Sequence, residues 1–146
     1  MKVLLYLEAE AKLRKSGIGR ASKHPERALT IVGQENTTNS KDDYDLVHIN
    51  TYGLKSWHLL MKSKRAGKKV LMHGHSTEED FRDSFIGSNL ISPIFRWYLC
   101  RFYQKADAII TPTEYSKNLI AGYGIKHPIY AVSNGIDFSR YIPNSA

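Results

Sequence analysis

The sequence predicts an α/β protein built on a doubly wound parallel sheet. Short apolar runs typical of buried strands alternate with stretches of helical periodicity along the chain. The clearest run is Val70-Leu71-Met72, which is bounded by lysines and Gly74 and leads directly into a helix-start pattern. A chain of 146 residues, 42% of them hydrophobic, can close one ordinary core, so one domain is expected.

The elements of the first half follow in order. A strand over 2–7 precedes the loop Ser16-Gly17-Ile18-Gly19-Arg20, after which apolar residues recur at helical spacing as far as Val32. Pro25 falls inside this helix, where it either introduces a kink or marks the true first turn, because proline lacks a backbone donor. A short polar strand over 34–39 and an apolar strand over 45–50 come next. A helix over 56–65 then ends at Ala66-Gly67.

The second half repeats the alternation. A strand over 68–73 ends near two histidines, and Ser76 or Thr77 is expected to cap a helix whose first turn holds Glu78, Glu79 and Asp80. Ser92-Pro93 predicts the start of a helix to about residue 105, with an apolar face formed by Ile94, Phe95, Tyr98, Leu99 and Phe102. A strand over 107–111, a helix that opens at 113–116 and closes at Gly122 and Gly124, and a strand over 128–133 complete the pattern.

The composition narrows the classes of partner. A net charge of +7 favours an anionic partner, such as nucleic acid, an anionic membrane or a phosphorylated small molecule. The single cysteine, Cys100, allows neither an internal disulfide nor a cysteine metal cluster. Apolar runs in the sequence are too short to span a bilayer, so contact with a membrane would be peripheral.

His75 is the candidate catalytic residue, because it stands where a strand ends and a helix begins, the edge at which open parallel sheets bind ligands. In a strand both histidines would point to the face opposite that of Gly74, and we expect the side chain of His73 to pack. The H-x-H pattern also suggests a metal site. Thr77 and Glu78, however, stand where binuclear zinc hydrolases carry Asp and His, so we favour a site without metal.

Gly17, Gly19 and Arg20 form a candidate phosphate site, since glycine amides at a helix start and a neighbouring cation bind phosphate groups well. The run Gly-x-Gly-x-x-Ser ends at Ser22, and the loop before it is long, so it departs from the nicotinamide fingerprint. The alternative, that these glycines serve only a turn, stays open.

Aromatic and basic residues mark a candidate membrane surface. Trp97 and Arg101 are expected on a flank of their helix away from the apolar face, and Arg96, Phe81 and Phe85 are close in sequence. Aromatic rings and cations together suit the headgroup region of an anionic membrane. An ordinary packed helix with solvated charges is the alternative.

Five motifs together resemble glycosyltransferase family 4: Ser16-Gly17-Ile18-Gly19-Arg20, Val47-His48-Ile49-Asn50, His73-Gly74-His75-Ser76, Ile110-Thr111-Pro112-Thr113-Glu114-Tyr115-Ser116 and Val132-Ser133-Asn134-Gly135-Ile136-Asp137. Their order and spacing are most similar to bacterial members that transfer glucose from a nucleotide sugar to diacylglycerol. The resemblance implies a retaining GT-B enzyme with two Rossmann-like domains. Residues 1–134 would form the amino-terminal, acceptor-binding domain, and 135–146 would start the connection to a donor-binding domain missing from this chain.

The resemblance also implies roles and partners. Gly17 and Gly19 would approach the donor diphosphate, His75 would lie beside the transferred sugar, and the interdomain connection would begin at Asn134, Gly135 and Asp137. The expected substrates are a nucleotide sugar, UDP-glucose, and a lipid acceptor such as diacylglycerol, with no metal or other cofactor required. The expected location is the cytoplasm, at the inner face of an anionic membrane, and nucleic acid is not an expected partner. This chain alone is expected to be inactive.

The alternative from a different class is a basic single-domain module that binds nucleic acid or a nucleotide and has no transferase activity. The basic residues are spread along the chain and form no nucleic-acid motif, which disfavours it.

Overall fold

A six-stranded parallel sheet is the framework of the protein. The computed structural model describes residues 1–8, 23–81 and 88–133. The strands are β1 (Val3–Tyr6), β2 (Asn36–Thr37), β3 (Leu46–Ile49), β4 (Lys69–His73), β5 (Ala108–Thr111) and β6 (Ile129–Ala131). Their order across the sheet is β2-β1-β3-β4-β5-β6, and each neighbouring pair is parallel. The predicted strands are confirmed, but each is shorter than its sequence pattern, and β2 and β6 keep only two and three residues.

Helices connect the strands and cover the sheet. They are α1 (Lys23–Ile31), α2 (Leu54–Arg65), α3 (Glu78–Phe81), α4 (Ser88–Lys105) and α5 (Glu114–Ala121). Pro25 is the third residue of α1 and so lies in its first turn, where proline is tolerated. Gly67, with φ of 70°, follows the end of α2 and supplies the left-handed conformation that ends many helices.

The two faces of the sheet are packed differently. Every second residue of the strands points toward α2, α4 and α5. These strand residues form the main core together with residues of the three helices: Leu4, Val47, Ile49, Val70, Met72 and Ile109 from the strands, and Leu60, Leu99, Phe102, Tyr103 and Ile120 from the helices. The alternate residues face α1 across a cavity of about 350 Å³, whose lining includes Val3, Leu5, Leu46, His48, Leu71 and His73. Packing on both faces confirms the doubly wound, Rossmann-like arrangement.

The start of α4 differs from the prediction. The helix begins at Ser88, so Ser92 and Pro93 lie inside it and not at its cap. The Ser92 side chain is buried, and its Oγ donates a hydrogen bond of 3.1 Å to Glu78 Oε1. Serine at this position therefore joins α4 to α3 and does not cap α4.

The expected apolar face of α4 is wrong for one residue. Leu99 and Phe102 are buried, and Phe95 and Tyr98 pack against the core as predicted. Ile94, in contrast, is 64% exposed. The inward face of the helix is thus narrower than the apolar stripe in the sequence.

A carboxylate from another part of the chain caps α2. The helix begins after Gly53, which has no side chain to accept the first N–H groups. Glu8, which follows β1, takes this role: Oε2 accepts hydrogen bonds from Ser56 N and Ser56 Oγ, both at 2.9 Å, and Oε1 accepts one from Lys55 N at 3.3 Å. A negative charge at a helix start is stabilising, because the first N–H groups there are unpaired.

Candidate active site

Three histidines stack at the carboxyl edge of the sheet. His48 comes from β3, His73 is the last residue of β4, and His75 follows two residues later. The rings of His73 and His75 are 3.7 Å apart and 6° from parallel, and those of His48 and His73 are 5.2 Å apart and 12° from parallel. His48 Nε2 and His73 Nδ1 are joined by a hydrogen bond of 3.2 Å. We refer to these three residues as the histidine stack.

The stack confirms the expectation that His73 packs. The rings of His73 and His75 lie on the same side of the chain, and a tight turn between the two residues lets His75 N donate to His73 O at 3.1 Å. His73 is buried, as predicted, and His75 is partly buried.

Gly74 allows this turn to lie against the next strand. Its N–H donates to Ile110 O at 2.7 Å. A β-carbon at this position would lie 2.7 Å from Ile120 Cδ1 and 3.0 Å from Thr111 Cγ2. A larger residue would therefore force the side chains of Ile120 and Thr111 to shift, so glycine suits the close approach to β5 and α5.

Two tyrosine hydroxyls fix the backbone around His75. Tyr52 donates its hydroxyl to His73 O and accepts a hydrogen bond of 3.2 Å from His75 N. Tyr103 donates to Ser76 O at 2.9 Å, and the two hydroxyl oxygens are 2.9 Å apart. Burial raises the pKa of both tyrosines well above the ordinary value, so both hydroxyls keep their protons.

Burial also keeps the histidine stack uncharged. It lowers the pKa of His48 and of His75 to about 4, and the nearby His75 contributes a smaller repulsion at His48. The pKa of His73, the middle ring, is lowered further by burial and by its two neighbours. At neutral pH the stack is a set of neutral imidazoles, able to donate and accept hydrogen bonds but carrying no positive charge.

Polar atoms at this edge lack partners within the described part of the chain. They are His73 Nε2, His75 Nε2 and Asn50 Oδ1, all buried. Unsatisfied buried polar atoms are rare in proteins and are concentrated at functional sites. In the segments that the structure describes, no group of three or more His, Cys, Asp or Glu side chains is arranged to hold a metal ion.

The acidic residues after His75 serve the packing of α3. Glu78 is buried, accepts the hydrogen bond from Ser92, and forms an ion pair of 3.6 Å with Arg96. Tyr123 accepts a hydrogen bond from Glu78 N at 2.7 Å and donates to Glu79 Oε2 at 2.6 Å. The guanidinium of Arg96 lies 4.7 Å from the Tyr123 ring centroid. Arg96, predicted for the membrane surface, thus has structural partners.

An exposed apolar stripe runs along α4. Leu90, Ile94 and Trp97 are 85%, 64% and 59% exposed, and the guanidinium of Arg101 lies 4.9 Å from the Trp97 ring centroid. Their spacing of four, three and four residues places them on one face of the helix. We refer to these four residues as the α4 stripe. Trp97 and Arg101 were expected at this surface, whereas Leu90 was not predicted and Ile94 was assigned to the inward face. The excess width of the apolar pattern was the signal for these two residues.

Other predicted site residues lie outside the described residues: Gly17, Gly19, Arg20, Phe85, Asn134, Gly135 and Asp137. The backbone of Phe81 ends α3. The predicted boundary at residue 134 likewise stays a prediction. None of the described helices has the length and hydrophobicity that a membrane span needs.

Comparisons with known proteins identify the family. The sequence model of Glycosyltransferase Family 4 matches residues 14–140. A processive diacylglycerol alpha-glucosyltransferase of Acholeplasma laidlawii is 49% identical over 142 residues, which cover 97% of this chain and 42% of that protein. The chain therefore spans less than half the length of this relative. No solved structure gives a significant match. The family model matches residues 14–140, and the sheet has the Rossmann-like arrangement that the resemblance implied. The chain therefore belongs to glycosyltransferase family 4.

Proposed function

We propose that this chain is the acceptor-side domain of a retaining glycosyltransferase that moves glucose from a nucleotide sugar, UDP-glucose, to a membrane lipid such as diacylglycerol. The observation that carries the proposal is the 49% identity to a diacylglycerol alpha-glucosyltransferase over nearly the whole chain. A second, donor-binding domain would complete the cleft above the carboxyl edge of the sheet. The family assignment gives no support to the alternative of a nucleic-acid-binding module.

The geometry of the site suits such a transfer. Breaking the bond between the sugar and the diphosphate creates positive charge on the sugar and negative charge on the leaving group. A protonated histidine beside the sugar would oppose the first of these charges. His75, held neutral by burial, instead orients a sugar hydroxyl by hydrogen bonding without adding charge. Gly17, Gly19 and Arg20 would stabilise the leaving diphosphate, as predicted from the sequence.

The position of the α4 stripe fits delivery of a lipid acceptor. α4 starts near the carboxyl edge of the sheet, because Ser92 contacts Glu78, which closely follows β4. Leu90 and Ile94 are exposed toward this end of α4, and Trp97 and Arg101 continue the stripe along the helix. The net charge of +7 favours an anionic membrane at this surface, at the inner face of the cytoplasmic membrane.

A transferase assay tests the proposal. The full-length protein, mixed with UDP-glucose and vesicles containing diacylglycerol and anionic lipid, should form a glucosyl lipid whose anomeric configuration is retained. Replacing His75→Ala should lower kcat by about 100-fold, the usual cost of losing a hydrogen bond that matters in the transition state. Product is measured by thin-layer chromatography and its configuration by proton NMR.

Two comparisons make the assay decisive. His58 is an exposed residue of α2, so His58→Gln should leave turnover unchanged. The present chain without a donor-binding domain should form no product. Absence of glucosyl lipid with the full-length protein would contradict the substrate assignment, and turnover by the present chain alone would contradict the two-domain assignment.

A further inference from the structure

We propose that His73 and His48 are positioning residues for His75: the stacked ring of His73 fixes the plane of the His75 imidazole, and His48 fixes the ring of His73. The inference rests on the proposed function in so far as His75 contacts the sugar. It goes beyond that function by assigning roles to two residues that act through His75 and not on the sugar.

The contacts define the order of support. His73 is the middle ring, in van der Waals contact with His75 at 3.7 Å between centroids. Its Nδ1 is bonded to His48 Nε2, so a flip of the His73 ring would break that bond. His48 lies in β3, within the sheet, and is itself buried. The orientation of His75 is thus transmitted from two neighbouring strands and does not depend on its own loop alone.

The nitrogens without partners among the described residues favour a neutral stack. An imidazolium carries a proton on both nitrogens. Protonation of His73 or His75 would therefore place a charged N–H at a buried Nε2 that has no acceptor among the described residues, which is strongly unfavourable. The lowered pKa values agree with this argument.

The surroundings offer little compensation for a charge on the stack. The titratable groups that face it from the packed elements, within the described residues, are Tyr52 after β3, Tyr103 of α4 and His24 of α1, which lines the same cavity. Both tyrosines are protonated at neutral pH. The positioning role is therefore one of neutral rings and not of a charged pair.

Two substitutions separate stacking from hydrogen bonding. His73→Phe keeps a planar ring against His75 but loses the bond to His48, whereas His73→Asn keeps a hydrogen-bonding group but loses the ring. Both are made in the full-length enzyme with ¹⁵N-labelled histidine, and the His75 titration is followed by NMR beside the pH dependence of kcat. In H73N we expect the His75 midpoint to rise by about one pH unit or more and kcat to fall about 10-fold. In H73F, which keeps the ring but loses its bond to His48, both changes should be clearly smaller than in H73N.

Three outcomes overturn the inference. The first is a wild-type His75 that titrates near its ordinary value of about 6.5, which needs no variant to observe. The second is an unchanged His75 titration in H73N, and the third is an H73F protein that folds but behaves like H73N. The NMR result is independent of turnover, so an inactive wild-type protein would refute the proposed function while leaving the stack testable.

Discussion

Gly74 is the residue on which the geometry of the histidine stack depends. The turn that brings the His75 ring onto His73 is pressed against β5, where Gly74 N bonds to Ile110 O. The space beside it is filled by Ile120 Cδ1 and Thr111 Cγ2. The sequence shows only a glycine between two histidines. The reason that a small residue suits this position is Ile120 of α5, which is more than forty residues away in the chain.

Replacing Gly74→Ala should therefore destabilise the chain by about 1–3 kcal/mol, the usual cost of overpacking a core. Ile120→Val removes the methyl group nearest the new β-carbon, and alone it should cost about 1 kcal/mol. In the Gly74→Ala background, Ile120→Val should lower the free energy of unfolding by less than it does alone, or should raise it. Urea unfolding of the four proteins measures this coupling, and strictly additive losses would contradict the close approach.

α4 serves the core and the surface at once. Leu99 and Phe102 are buried on its inner face, whereas Leu90, Ile94 and Trp97 are exposed on its outer face. An apolar stripe with a stacked arginine is typical of a helix that lies in the headgroup region of a membrane. Such a position would account for the exposure of these residues without a packing partner in the domain.

Replacing Ile94→Ser together with Trp97→Ala and Arg101→Gln should therefore weaken binding to anionic vesicles by about 10-fold or more, and binding should fall with salt. Tyr115, on α5, is 67% exposed, so Tyr115→Ala is a matched control that removes an aromatic ring from another surface. Vesicle sedimentation measures the binding. Equal binding by the triple variant and wild type would exclude the α4 stripe as the membrane surface.

The elements that could be predicted are those determined by residues close to one another in the sequence. Strands followed from apolar runs, and α5 opens within 113–116 as expected, with Thr113 capping it by accepting a hydrogen bond from Ser116 N. Ser92-Pro93 shows where this reasoning fails. The pair has the form of a cap, but Ser92 is bonded to Glu78 across two helices, and Pro93, the sixth residue of α4, lies inside the helix, where it lacks the N–H of an intrahelical bond.

The candidate site could be predicted only in part. The edge of the sheet and His75 followed from where β4 ends. The stack depends on His48, which lies opposite Leu71 in the pairing of β3 with β4, and this register is not visible in the sequence. The exposure of Ile94 likewise depends on how closely α4 packs on the sheet.

The pH dependence of stability is a property of the whole molecule. In the unfolded chain His48, His73 and His75 bind protons near pH 6.5, whereas folding holds His48 and His75 neutral down to about pH 4 and His73 further still. The unfolded state therefore binds more protons below pH 6.5. The stability of the native state is complete above that value and is lost as the pH falls toward 4.

Between pH 6 and pH 5, each of these histidines should lower the free energy of unfolding by about 1 kcal/mol. His48→Leu should make the dependence on pH shallower, whereas His58→Gln, at an exposed position, should not change it. Urea unfolding followed by tryptophan fluorescence over this pH range measures the slope. A slope that is the same in wild type and H48L would show that His48 takes up its proton in the folded state.

The place of β1 between β2 and β3 has a consequence for biosynthesis. Val3 pairs with Asn36 on one side and with Leu46 on the other. The apolar strand Val3–Tyr6 therefore has neither neighbour until residues more than thirty positions later have left the ribosome. Parallel strands cannot close through a hairpin, so no shorter pairing is available to it. In the nascent chain this apolar strand stays unpaired, so it is a segment that can aggregate and that chaperones can bind.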